Sequence, residues 1–147
     1  MNHDIIAYYC DAAVDTLRRG SGVAVVVRNA AGQILDAASC FLDGMTNNEA
    51  EYEALILGLQ VAIARSDRRA TFLLDSQVVV GQMAGCFAVR DKKLAPRHER
   101  ASRLLAQLPE ATLVFIPREQ NQLADALAAE AMQAGLAQDR AGGSRER

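Results

Sequence analysis

Paired cysteines, histidine ligand spacings, a positive charge excess and long apolar runs are all missing from this chain of 147 residues, and each absence removes a class of function. Its three cysteines, Cys10, Cys40 and Cys86, are odd in number and show neither CxxC nor Cys/His spacing, so neither a disulfide framework nor a zinc site is indicated. Reduced, buried thiols are expected. The two histidines, His3 and His98, stand near no candidate nucleophile, which argues against hydrolysis by an activated serine or cysteine. A formal net charge of −2 supplies no bulk positive potential for nucleic acid. The densest positive run is local, six Lys or Arg between Arg90 and Arg103 against Asp91 and Glu99. No apolar run approaches the length of a membrane span, and Met1-Asn2-His3-Asp4 lacks a signal peptide's basic start. A soluble cytoplasmic protein without a membrane partner is expected.

What is present is a chain half of whose residues are apolar, of the right length for one domain with one core. Residues 5–11 form an apolar run suited to a central strand. The β-branched run Val23-Ala24-Val25-Val26-Val27 predicts a second strand, Asn29-Ala30-Ala31-Gly32 a turn, and residues 34–42 a third strand in an antiparallel meander. Thr46 followed three residues later by Glu49 is a capping box, which predicts a helix over residues 47–65. Residues 70–75 read as a fourth strand, Ser76 as the cap of a short helix ended by Gly85, and Pro96 as the start of a helix to about Leu108 with Arg97, Arg100 and Arg103 outward. A fifth strand at 111–116, a loop at 117–120 and an Ala-rich helix over 122–134 complete the order. The expected organisation is a domain over residues 1–134 and a flexible tail over 135–147, the domain being a mixed sheet covered by helices.

Four acids stand where solvated acids are not expected. Phasing of the capped helix puts Glu49, Glu53, Ile56 and Gln60 on a stripe that reads as solvent-facing, and Glu51 in line with Leu55, Gly58 and Ala62 on the inward stripe. Asp11 and Asp75 end apolar strands, the place where α/β folds carry ligand chemistry. Asp125 lies one turn after Asn121 on the stripe through Ala129 and Met132, apart from Gln122, Glu130 and Gln133. A buried carboxylate costs several kcal/mol unless compensated, and no Lys or Arg stands beside these four in sequence. Carboxylates brought together require a shared cation, and hard oxygen donors select Mg²⁺ or Mn²⁺. Two such ions serve phosphodiester hydrolysis.

The motifs Thr46-Asn47-Asn48-x-Ala50-Glu51-Tyr52-x-Ala54-Leu55, Leu74-Asp75-Ser76-Gln77 and Pro117-Arg118-Glu119-x-Asn121-x-x-Ala124-Asp125-x-Leu127-Ala128 resemble those of type 1 ribonuclease H, in matching order over roughly residues 4–134. The resemblance implies an α/β ribonuclease H-like fold, a five-stranded mixed sheet in the order 3-2-1-4-5 flanked by helices. It implies hydrolysis of the RNA strand of RNA–DNA hybrids, leaving 5′-phosphate and 3′-hydroxyl ends; separately, a monomer is expected and no obligate protein partner is indicated. It further implies two Mg²⁺ ions, with Mn²⁺ as substitute. Asp11 would bridge them, Glu51 and Asp75 would complete the protein ligands of one, and Asp125 would bind the ion carrying the attacking water. Asn48 and Gln77 match RNA-strand contacts, Thr46 a DNA-phosphate contact, and Asn121 falls with this substrate-binding set.

Three departures qualify the resemblance. Asp11 is followed by Ala12-Ala13 where family members have Gly, and Val14-Asp15-Thr16-Leu17-Arg18-Arg19 replaces an Asn-Pro-Gly loop. Arg118 occupies the loop where some members carry a His for product release, and is expected to take part of that role through the scissile phosphate. The rival readings are a catalytically impaired hybrid-binding module, motivated by Ala12-Ala13, and a same-fold nuclease acting on structured DNA, disfavoured by Asn48 and Gln77. The Arg90 to Arg103 segment, with Lys92 and Lys93, supplies a modest phosphate-contacting face or only a solvated one.

Overall fold

Strand pairing follows the apolar pattern of the first three segments. In the computed structural model, which describes residues 4–141, β1 (Ile6–Asp15), β2 (Gly20–Arg28) and β3 (Ile34–Asp43) form an antiparallel meander. β4 (Ala70–Leu74) adds to β1 in parallel and β5 (Ala111–Phe115) to β4 in parallel, so the order is β3-β2-β1-β4-β5, as expected.

β2 is buried along almost its whole length, which explains its unbroken apolar run. Val23, Val25 and Val27 enter the core under α1 (Asn47–Arg65) with Tyr8, Leu55, Leu59 and Phe72. The opposite face of β1 and β2 carries α4 (Gln122–Ala141). α2 (Gln77–Met83) and α3 (Ala95–Leu105) lie on the α1 side and contribute Val79 and Ala101 to that core. Both halves of the Thr46/Glu49 capping box are made, and Ser76 caps α2 through Val79 N–H. No helix among the described residues is long and apolar enough to cross a membrane.

Four expectations are corrected. Asp11 does not end its strand, because β1 continues to Asp15 and pairs with β2 through Asp15 and Gly20. What stops near Asp11 is the parallel ladder to β4, whose last pair is Tyr9 with Leu73. The final helix does not stop at residue 134. It runs to Ala141, with Leu136 only 5% exposed and Gly135 lying against Phe41 of β3, so the tail expected from Gly135 is shortened, and residues 142–147 lie outside the described residues. The stripe of Glu49, Glu53 and Ile56 is not solvent-facing: α3 covers it, leaving Ile56 2% and Glu49 9% exposed. Arg97 correspondingly points toward α1 and not outward, with Glu49 and Glu53 as partners.

Candidate active site

The parallel register of β1 and β4 sets two acids side by side. Tyr9 pairs with Leu73, and Asp11 and Asp75 each lie two residues further on, where the strands part and a gap opens for side chains. Asp11 is 3% exposed, and the Ala12 N–H donates to its carboxylate.

Two close approaches bring in the other acids. Gly58 sits over Cys10, and a Cβ at Gly58 would stand 2.6 Å from the Cys10 Sγ. This lets α1 settle against β1, and Glu51, two turns earlier on the same face, overhangs Asp11. Gly22 allows the same on the other face, where a Cβ would collide with the Ala128 carbonyl oxygen of α4. The start of α4 is tied down by Asn121, whose Nδ2 donates to the Cys10 carbonyl at 2.9 Å. Asp125, one turn on, then reaches the Asp11 carboxyl.

The outcome is a dense group of like charges. Ligand oxygens of Asp11, Glu51 and Asp75 all lie within 4.8 Å of one another, and Asp125 lies near enough for its charge to act on Asp11 and Glu51. Burial, then the charges of Asp11, Asp75 and Asp125, push the Glu51 carboxyl up to about 9. Asp11 is likewise pushed well above the usual carboxylate range by burial and then by Asp75. The neighbouring Cys10 thiol is fully buried and raised by burial and by Glu51, which keeps it neutral. Among the described residues no Lys or Arg forms an ion pair with any of the four acids. Oε1 of Glu51 is buried without a hydrogen-bond partner. An unsatisfied carboxylate oxygen aimed among other carboxylates costs several kcal/mol, and a divalent cation offsets that cost by accepting all of them. The residues therefore fit a hard metal ion.

The remaining candidates fall around this cluster. Arg118 stands on an exposed 3-10 turn (Arg118–Gln120), and its charge favours ionised Glu51 without contacting it. Thr46 and Asn48 are exposed at the start of α1, and Gln77 at the start of α2, where each can meet a ligand. Asn121 is 1% exposed: its Nδ2 donates to the Cys10 carbonyl and ties α4 to β1, while its Oδ1 is buried without a hydrogen-bond partner. The β1–β2 hairpin replaces the loop expected after Asp11, with Ala12 and Ala13 paired to Val23 and Gly22 as ordinary strand. Two functional neighbours were not foreseen: Gln82, which accepts from Tyr52 Oη at 2.6 Å and locks α2 to α1, and the bridge from Arg97 to α1. Glu49 and Glu53, spaced as i and i+4 with no Lys or Arg on their own helix before Arg65 in its last turn, were the available signal for the latter.

A 3-2-1-4-5 sheet with helices on both faces and a carboxylate cluster where the central parallel strands part defines a ribonuclease H-like domain. A family model described as reverse transcriptase-like matches residues 9–131. The bifunctional protein Rv2228c of Mycobacterium tuberculosis is 39% identical over 89 residues, which are 60% of this chain and 24% of that protein, so the match spans about a quarter of the curated relative. The solved N-terminal ribonuclease H domain of Rv2228c is 31% identical with a TM-score of 0.84, covering 93% of this chain and 99% of that one. Ribonuclease H1 of Halobacterium salinarum is 30% identical with a TM-score of 0.84, covering 88% and 98%. LC11-RNase H1, solved in complex with an RNA/DNA hybrid, is 30% identical with a TM-score of 0.83, covering 89% and 99%. The chain belongs to the reverse transcriptase-like family and, within it, to the ribonuclease H proteins.

Proposed function

We propose that the chain is a metal-dependent endonuclease that hydrolyses the RNA strand of RNA–DNA hybrids, leaving 5′-phosphate and 3′-hydroxyl ends, and that it acts as a cytoplasmic monomer. The observation that carries this reading is the cluster of Asp11, Glu51, Asp75 and Asp125, which is rich in negative charge and has no cation of its own. A relative 30% identical over most of its length, LC11-RNase H1, was solved with an RNA/DNA hybrid, which supports the substrate class.

The four carboxylates would hold two Mg²⁺ ions, replaceable by Mn²⁺, with Asp11 shared, Glu51 and Asp75 on one ion and Asp125 on the other. Bound there, the ions lower the pKa of water and neutralise charge on the scissile phosphate. The chain supplies the rest. Asn48 and Gln77, exposed at the N-terminal turns of α1 and α2, address the RNA strand and its 2′-hydroxyls, and Thr46 a phosphate of the DNA strand. Arg118 offers its guanidinium to a phosphate oxygen beside Glu51.

The test is incubation of the protein with labelled RNA–DNA hybrid, duplex DNA and duplex RNA, each with Mg²⁺, Mn²⁺ or EDTA. Cleavage confined to the RNA of the hybrid and abolished by EDTA is expected. Absence of cleavage with either ion contradicts the proposal, and cleavage of duplex DNA redirects it to another nucleic acid.

A further inference from the structure

Beside the first turn of α1 lies a cleft of about 470 Å³, lined by Thr16 and Arg19 of the β1–β2 hairpin turn, by Thr46 and Glu49, and by Lys93 from the approach to α3. Neither Arg19 nor Lys93 has an ion-pair partner among the described residues, whereas Glu49, on the same wall, is an acid only 9% exposed. Such an acid beside a flexible ammonium would be expected to capture it. Glu49 is instead engaged elsewhere. Its Oε1 accepts from Thr46 N–H at 2.9 Å, and its Oε2 accepts from Arg97 at 2.9 Å. The same guanidinium donates to Glu53 Oε2 at 2.8 Å and to the Lys93 carbonyl at 3.1 Å.

We propose that Arg97 is a positioning residue for nucleic-acid binding: by satisfying Glu49 and Glu53 while gripping the Lys93 backbone, it leaves the Lys93 ammonium free to meet a backbone phosphate at this cleft. The inference rests on the hybrid-binding reading above. Glu49 and Lys93 line the same cleft. Without Arg97, the nearest remaining cation to Glu49 is Lys93. The ammonium then turns from the cleft to the acid, and the loss of one positive charge leaves Glu53 unpaired near the incoming phosphates.

The test is fluorescence anisotropy of a labelled RNA–DNA hybrid in EDTA, where binding is read without cleavage, over a range of salt concentrations. Lys93→Ala and Arg97→Ala are each expected to weaken binding about fivefold and to lower the salt slope by about 0.9, the loss of one phosphate contact. In the Arg97→Ala background, Lys93→Ala is expected to add less than twofold. Glu49→Gln, which keeps the capping box but removes the charge, is expected to restore at least half of the logarithmic loss in that background. Simple loosening of α3 would not be reversed by Glu49→Gln. Additive effects of the two alanine substitutions, failure of that rescue, full-strength binding by Arg97→Ala, or no hybrid binding by the unsubstituted protein would each overturn the assignment. Binding with this pattern but no cleavage in Mg²⁺ would overturn the nuclease reading alone.

Discussion

Helix α1 carries three acids within five residues, and they meet opposite fates. Glu49 and Glu53 lie under α3, where Arg97 bridges both at 2.9 and 2.8 Å. Glu51, between them in sequence, turns to the other side, where it meets Asp11 and Asp75 and no cation. The carboxyl of Glu49 is held low and that of Glu51 is pushed high, on one helix and two residues apart. Burial of an acid is therefore not by itself a sign of function. A structural acid comes with its cation in the fold, and a ligand acid has its place for a cation left open.

Substitution separates the two sets. Asp75→Asn removes a ligand while leaving the packing of β4 in place, and is expected to lower hybrid cleavage on the order of a thousandfold or more, because several kcal/mol of charge stabilisation leave with the metal. A steady-state assay in Mg²⁺ checks this, and activity within tenfold of the parent would remove Asp75 from the ligand set. On the structural side, Arg97→Ala removes the guanidinium that Glu49 and Glu53 share and is expected to cost about 1–3 kcal/mol of stability by urea unfolding. A loss below about 0.5 kcal/mol would mean that the bridge contributes no more than an exposed pair.

The acid cluster also sets a pH dependence of opposite sign to the usual one. Asp11 and Glu51 titrate higher in the folded than in the unfolded chain, so between about pH 4 and about pH 9 the native state binds more protons. Stability of the metal-free protein is then full below about pH 4 and falls as pH rises through that window. Glu51→Gln is expected to flatten the fall and to raise metal-free stability at pH 8 by about 1–3 kcal/mol. Thermal melts in EDTA across pH check the direction, and stability rising with pH in this window would contradict it. The smallest effect is expected at Arg118, which is exposed and touches no acid: Arg118→Ala is expected to reduce turnover about tenfold with little change in melting temperature. Unchanged turnover would remove it from the site.

Much of this was legible from the chain because the signals were local. The Thr46/Glu49 capping box located both α1 and the phase that turns Glu51 inward, and Ser76, as the cap of α2, located the end of β4 to within one residue, Asp75 expected and Leu74 observed. The strand order followed from the motifs together, not from any one of them. What escaped depended on partners distant in sequence. The first strand reads as ending at Asp11 because the apolar run stops there, yet β2 pairs with Ala12, Ala13 and Asp15 through Gly20. Gly135 reads as the first residue of a tail, whereas it makes room for Phe41 from another layer. Glu49 and Glu53 read as solvated because exposure is the default for two acids one turn apart, and nothing local announces that Arg97 will cover them. Nothing local to Asn121 shows that its Nδ2 donates to the backbone of β1, 111 residues away.

The contrast between Glu51 and Glu53 can be measured directly by differential scanning calorimetry with increasing Mg²⁺ at pH 8, comparing the parent with Glu51→Gln and Glu53→Gln. Mg²⁺ is expected to raise the melting temperature of the parent and of Glu53→Gln in a concentration-dependent way, with the shift largely lost in Glu51→Gln. An equal Mg²⁺-dependent shift in Glu51→Gln, or no shift in the parent, would contradict the assignment of the uncompensated acids as the metal site.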